Sequence, residues 1–277
     1  MNYTFRDHAA KAEPGFRFQA SIIISWKVSP PVRLIVVCFS AILFLAFAAS
    51  AEERRSVTVG INHAPPYRVT TDEGPAGLYV DIFDEIARRI NWDIRYVEAP
   101  FRRILLMMEE GTVDVMLGPL KTEERERVMA FVAPVFPPER KLFFYYRDEN
   151  RIEEYEDLYG KTIGVLEGAS YFEEFDADDK LDKEPIARYE NLMRMLEKDR
   201  VDVVVAPELV GKHTVNQLGS EVSISPYQIP GEHSYIAISR TSPMFSHQDE
   251  INQAFEQIRQ EGTYEKLVRG YQDHAER

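Results

Sequence analysis

Twice along this chain the apolar period switches from two to about 3.6 and back, and that alternation leaves few architectures open. Ser56-Val-Thr-Val-Gly-Ile61 alternates as a strand, and His63-Ala-Pro-Pro-Tyr67 breaks it into a loop. Ile82, Phe83, Ile86 and Ile90 then share one face of a helix with Asp81 at its start. Asp93 to Val97 reads as a strand, Phe101 to Glu110 as a helix ended by Gly111, and Val113-Asp-Val-Met-Leu117 as the next strand. The order βαβαβ implies a sheet with helices on its faces.

After Lys141-Leu-Phe-Phe-Tyr-Tyr146 the cycle restarts. Lys161 to Leu166 is a strand, Ala169 to Phe175 a helix, Ile186 to Tyr189 a strand, Asn191 to Lys198 a helix and Val201 to Ala206 a strand. Ile104-Leu-Leu-Met-Met-Glu-Glu-Gly-Thr-Val-Asp-Val115 aligns without gaps on Leu192-Met-Arg-Met-Leu-Glu-Lys-Asp-Arg-Val-Asp-Val203. Duplication and chance likeness between two amphipathic helix-to-strand units both explain that echo. Ile251, Ala254, Phe255 and Ile258 mark a later helix stopped by Gly262, and Tyr264, Leu267, Val268 and Tyr271 a last short one.

Leu34 to Ala51 carries no charge, follows Arg33 and ends Ala49-Ser50-Ala51, the pattern of a secretory signal cleaved after Ala51. An uncleaved anchor is the competing reading, since eighteen apolar residues only just reach across a bilayer. The stretch before Arg33 is long for a signal, so residues 1 to 51 are read as a signal with an upstream extension. Removing its five basic and two acidic residues takes the formal charge from −13 to −16. Such a surface repels nucleic acid and anionic membranes. Cys38 lies in the signal, which leaves the mature chain without disulfides, thiolates or cysteine metal sites. His63, His213 and His233 form no metal or nucleophile-base pattern, and no cofactor or metal is expected.

Open α/β sheets bind ligands beyond the carboxyl ends of their strands, where Gly118-Pro-Leu-Lys-Thr-Glu-Glu-Arg125 lies. Thr122 followed by Glu123 and Glu124 reads as a helix start with a hydroxyl cap. Arg125 then sits in the first turn, where its planar fork of donors matches a small carboxylate. An ordinary solvated arginine is the alternative.

Pro66-Tyr67, Gly77-Leu-Tyr-Val-Asp81, Gly111-Thr-Val-Asp114, Thr122-Glu-Glu-Arg125, Gly160-Lys-Thr-Ile-Gly-Val-Leu-Glu-Gly168 and Gly262-Thr-Tyr-Glu-Lys266 stand in the order seen in the family 3 bacterial extracellular solute-binding proteins. The chain resembles that family over residues 55 to 271. The resemblance implies a two-lobe periplasmic binding protein of type II, each lobe a sheet flanked by helices, joined by two crossing hinge segments. Tyr145 to Asp148 and Gly231 to Tyr235 would be the crossings. Lobe one would take residues 52 to 146 with 234 to 277, and lobe two residues 147 to 233.

By the same resemblance Arg125 would grip the ligand carboxylate, with Gly118 and Leu120 beside it and the Ser170 hydroxyl completing the site. Phe101 would offer a flat face to the ligand side chain. The aspartate that usually meets the ligand ammonium is replaced by Pro207, which has neither charge nor N–H. Glu208 either takes that role or simply serves the start of its helix. Arg103 is either a second cleft cation, favouring a ligand with more than one acidic group, or a surface helix arginine. Tyr67 is either lobe packing or cleft wall.

The implied function is capture of a small carboxylate-bearing solute, foremost an amino acid, by a monomer in the periplasm that delivers it to an ABC permease in the inner membrane. On this reading the protein is not an enzyme. The alternatives are a periplasmic enzyme resembling cyclohexadienyl dehydratase, with Glu167, Glu173 or Glu208 as its acid, and a ligand sensor for a membrane receptor.

Overall fold

A computed structural model describes residues 54–132 and 135–275, so the expected signal lies outside the described residues. The first half contains β1 (Arg55–Ile61), a small hairpin of β2 (Val69–Thr71) and β3 (Gly74–Ala76), α1 (Leu78–Arg89), β4 (Trp92–Glu98), α2 (Phe101–Glu110), β5 (Val115–Leu117), α3 (Glu123–Glu126) and β6 (Met129–Phe131). There follow β7 (Glu139–Tyr145), β8 (Thr162–Leu166), α4 (Glu173–Ala177), β9 (Asp182–Ile186), α5 (Tyr189–Glu197), β10 (Val203–Pro207), α6 (Glu208–Leu218) and β11 (Ser223–Glu232). The chain closes with β12 (Ile236–Ser239), α7 (Gln248–Gln260) and α8 (Thr263–Ala275).

These strands form two five-stranded sheets of like construction, ordered β4-β1-β5-β12-β6 and β9-β8-β10-β7-β11. In each, the first three strands are parallel and the fourth runs antiparallel to the third. The antiparallel strand of the first sheet, β12, arrives from the end of the chain, and that of the second, β7, arrives from the middle. The chain therefore passes from one sheet to the other twice, between β6 and β7 and between β11 and β12. The first passage precedes Glu139 rather than falling at Tyr145 to Asp148, because β7 is hydrogen-bonded to β10 and β11 along its length.

The sequence echo reappears as matched contacts. Asp114 accepts the Thr58 N–H at 2.8 Å, and Asp202 accepts the Thr162 N–H at 2.8 Å. Each aspartate N–H in turn donates to the carbonyl of that same threonine, at 2.9 Å in both cases. Gly60 on β1 and Gly164 on β8 let the following helix approach, for a Cβ at Gly60 would lie 2.6 Å from Ile104 and one at Gly164 2.8 Å from Leu192. Burial at Phe101, Ile104 and Met108 on α2 and at Tyr189, Leu192, Met193 and Leu196 on α5 gives each helix an apolar stripe turned to the protein interior.

Boundaries moved where the chain turns on tertiary contacts. The helix after β8 begins at Glu173 rather than Ala169, leaving Glu167 to Phe172 as a loop. The start of α1 moves from Asp81 to Leu78 because Gly77, at φ 116°, docks on the preceding loop: the Tyr79 N–H donates to the Tyr67 carbonyl at 3.0 Å. A side chain at Gly77 would sit 2.4 Å from that carbonyl oxygen.

Candidate functional site

Arg125 is positioned by a hydroxyl-capped single turn of helix. The Thr122 hydroxyl accepts the Arg125 N–H at 3.3 Å, and the single turn of α3 swings the arginine side chain inward to 7 % exposure. Its guanidinium donates to the Leu120 carbonyl at 2.7 Å and, from the other sheet's loop, to the Gly168 carbonyl at 2.9 Å. It lies 5.6 Å over the Phe101 ring. Burial pulls its pKa down to about 10, against the pull of Asp176 and Glu124.

Around that guanidinium residues from both sheets enclose a cavity of about 70 Å³, where one water needs roughly 10–15 Å³. Tyr67, Phe101, Gly118, Leu120, Arg125 and Ser170, all expected in the site, line it together. Tyr67 stacks on Tyr79 at 4.4 Å, and Tyr79 on Phe136 at 3.8 Å. The cavity is small, and its wall combines aromatic rings and hydroxyls with charged side chains.

Two expected residues face elsewhere. Arg103 is 54 % exposed and lies 3.7 Å from Glu110, because the buried stripe of α2 runs through Phe101, Ile104 and Met108 and position 103 falls on its opposite side. Glu208 opens α6 but is held by Arg140 at 2.7 Å and Lys212 at 2.7 Å, and both cations keep its pKa below the usual carboxylate range. It is therefore neutralised on the outside of the helix start. Glu167 and Glu173 are exposed and take no part in the cavity lining.

Four charged residues that the sequence reading did not single out are in the cavity wall: Arg68, Glu139, Lys141 and Glu232. Glu139 and Lys141 stand two apart on β7 and so share a face of the strand. Glu139 accepts the Leu209 N–H at 2.6 Å, capping α6 where Pro207 has no capping side chain, and also bonds the Tyr67 hydroxyl. Burial raises its pKa to about 7, despite those bonds and the nearby charges of Lys141 and Arg68. Lys141 is 5 % exposed and donates to the Glu139 carbonyl at 3.0 Å, with its pKa lowered by burial. Strand alternation beginning at Glu139 was the available signal for this pair. Arg68 lies in an irregular loop, and nothing in its local sequence shows which way it points.

The model for bacterial extracellular solute-binding proteins, family 3, matches residues 57–274. The chain belongs to that family. This solute-binding protein is 23 % identical over 251 residues to the histidine-binding periplasmic protein of Escherichia coli strain K12, covering 86 % of this chain and 94 % of that one. Its structure is similar to a variant of ArgBP from T. maritima, at 26 % identity and TM-score 0.69, covering 79 % of this chain and 95 % of the other. It is equally similar to an ancestral arginine-binding protein bound to arginine, at 25 % identity and TM-score 0.69, covering 79 % and 98 %. The fold is that of a type II periplasmic binding protein, and such relatives are binding proteins rather than enzymes.

Proposed function

We propose that this protein captures a small carboxylate-bearing solute in the periplasm, foremost an amino acid, and delivers it to an ABC importer in the inner membrane. The observation that carries this reading is Arg125, a buried fork of donors that bridges the two sheets across a small cavity. The histidine- and arginine-binding relatives support an amino acid as the class. On this reading the lobes are residues up to about 132 with 236–277, and 139–232. The solute is bound first by Arg125, Gly118 and Leu120 and then sealed as the second lobe brings up Ser170. The Gly168 carbonyl on Arg125, and Glu190 on His63 at 3.1 Å, are contacts of the closed form. The protein works as a monomer.

A thermal-shift screen against amino acids, small dicarboxylates and amines tests the reading, since a ligand at about 100 times its dissociation constant adds roughly 2.7 kcal/mol. Arg125→Ala should abolish every shift while leaving the unfolding transition cooperative. Retained affinity in that variant refutes the role given to Arg125.

One observation favours a second reading, an enzyme on the same scaffold resembling cyclohexadienyl dehydratase. Glu139, with its pKa raised to about 7, is suited to deliver a proton to a molecule held in the cavity. Turnover of prephenate or arogenate that disappears in Glu139→Gln would establish it, and binding without turnover would dismiss it.

A further inference from the structure

Arg68 is the least accounted-for charge in the cavity. It is 7 % exposed, and its side chain runs past the backbone of Gly118 to donate to the Leu117 carbonyl at 2.6 Å. The passage depends on the missing side chain of Gly118, at φ +87°, where a Cβ would lie 1.9 Å from Arg68 Nη1. The guanidinium stacks 5.1 Å from the Tyr79 ring centre, and its Nε is buried with no hydrogen-bond partner. A guanidinium keeps its charge in such surroundings, so the group stays a cation with unfilled donor capacity.

The rest of the lining sharpens the imbalance. Arg68, Arg125 and Lys141 face one cavity, and none of them makes an ion pair with a described carboxylate. The acids on the same wall are Glu139, already engaged by Leu209 and Tyr67, and Glu232, which is exposed at the rim. The remaining polar groups, Ser170, Ser234 and four tyrosines, are neutral. A zwitterion with one carboxylate brings no net charge and leaves Arg68 unmatched, whereas buried cations are tolerated when paired and hydrogen-bonded.

Resting on the solute-binding reading above, we propose that the solute carries two acidic groups, and that Arg68 receives the second while Arg125 holds the first. Arg68 is then the residue that sets specificity, selecting small dicarboxylates over monocarboxylic amino acids. Two sources share that chemistry: dicarboxylic acids without an amine, and acidic amino acids whose ammonium would lie toward Glu139.

Isothermal titration of the purified protein with succinate, glutarate, L-malate, L-aspartate and L-glutamate tests this, alongside L-alanine, L-histidine and L-arginine. For whichever two-acid probe binds, its monomethyl ester is titrated too, which removes one charge from the ligand without touching the protein. The ester should bind about 10- to 100-fold more weakly, the range for a hydrogen bond to a charged group. In Arg68→Gln the parent acid should fall to the affinity of its ester, with the ester's own affinity unchanged. Binding by aspartate and glutamate alone identifies the acidic amino acids as the source, and binding by succinate, glutarate or malate identifies the amine-free acids. Tight binding of a one-acid amino acid with the two-acid probes silent overturns this proposal and leaves the solute-binding reading standing. An ester as tight as its parent acid overturns it on the wild-type protein alone. Silence from every probe counts against both.

Discussion

Glu139→Gln should stabilise this protein by about 3 kcal/mol at pH 8 and by less than about 1 kcal/mol at pH 5. In the native state the Glu139 carboxyl has its pKa raised by burial from 4.5 to about 7. A group that holds its proton more tightly when folded favours folding while protonated. Below about pH 4.5 the carboxyl is protonated in both states and contributes no difference. Between about 4.5 and 7 the unfolded chain ionises while the native one keeps its proton, so stability falls as pH rises, and above 7 the full penalty applies. A displacement of roughly 2.5 units at 1.36 kcal/mol each sets that penalty at about 3 kcal/mol. Glutamine imitates the protonated acid: its carbonyl can still accept the Leu209 N–H, and no charge is buried. For a domain of this size about 3 kcal/mol corresponds to roughly 6–12 °C in Tm.

The measurement is chemical and thermal unfolding of wild type and variant at half-unit steps from pH 5 to pH 8, without ligand, read as a difference curve. Other ionisable groups titrate in both proteins and largely cancel. Lys141, Arg68, Tyr67, Tyr79 and Tyr189, which interact electrostatically with Glu139, are common to both. The variant should gain on the wild type steadily from about pH 5 to 7 and then level off. A difference that is flat with pH would refute the reasoning, because Glu139 would then titrate alike in the folded and unfolded chains.

Other positions give sharper single outcomes. Gly118→Ala, which puts a methyl against the Arg68 guanidinium and the Tyr79 ring at a left-handed backbone position, should cost about 1–3 kcal/mol in urea unfolding and weaken solute binding. Gly60→Ala should cost a similar about 1–3 kcal/mol through overpacking against Ile104, with solute affinity per folded molecule unchanged by titration. His63→Ala removes a bridge to Glu190 between the loop after β1 and the start of α5, and should weaken solute binding only about two- to fivefold, with a more extended form in ligand-free scattering.

Local pattern was enough to read the elements whose cores depend on periodicity. The stripes of α2 and α5, the parallel strands and the Thr122 cap of α3 all follow from neighbours within a few residues. The six expected residues that share the cavity stand on such elements or on the turns that end them. Of the two readings open for Arg103, cleft cation and surface arginine, the structure takes the second, and the periodicity of α2 held that answer: it is two positions from Phe101 and off the buried stripe. Glu208 could not be read locally, because what neutralises it is Arg140, a strand residue sixty-eight positions away that reaches the start of α6. Arg68 is set by a loop closed on itself, with the Ala64 N–H donating to the Arg68 carbonyl at 2.8 Å, and by the gap over Gly118. Neither leaves a mark on the residues next to it in sequence.

Pro207 pairs with Lys141, two residues along β7 from Glu139, which places the Glu139 carboxylate beside the end of β10. There the Glu139 carboxylate caps α6 and faces the cavity. Its proton should then report what the solute brings. A two-acid ligand without an amine disfavours the ionised carboxyl, raising its pKa, so at pH 7 binding should take up protons. An ammonium placed beside Glu139 favours the ionised form and should release them. Titration enthalpies in buffers of low and high ionisation enthalpy read that exchange directly, with up to about half a proton available from a group near its midpoint. The Glu139→Gln variant shows how much of the exchange belongs to Glu139. Enthalpies independent of buffer for a tightly bound solute would mean that Glu139 is not titrating beside the ligand, and the carboxylate would then serve only the start of α6.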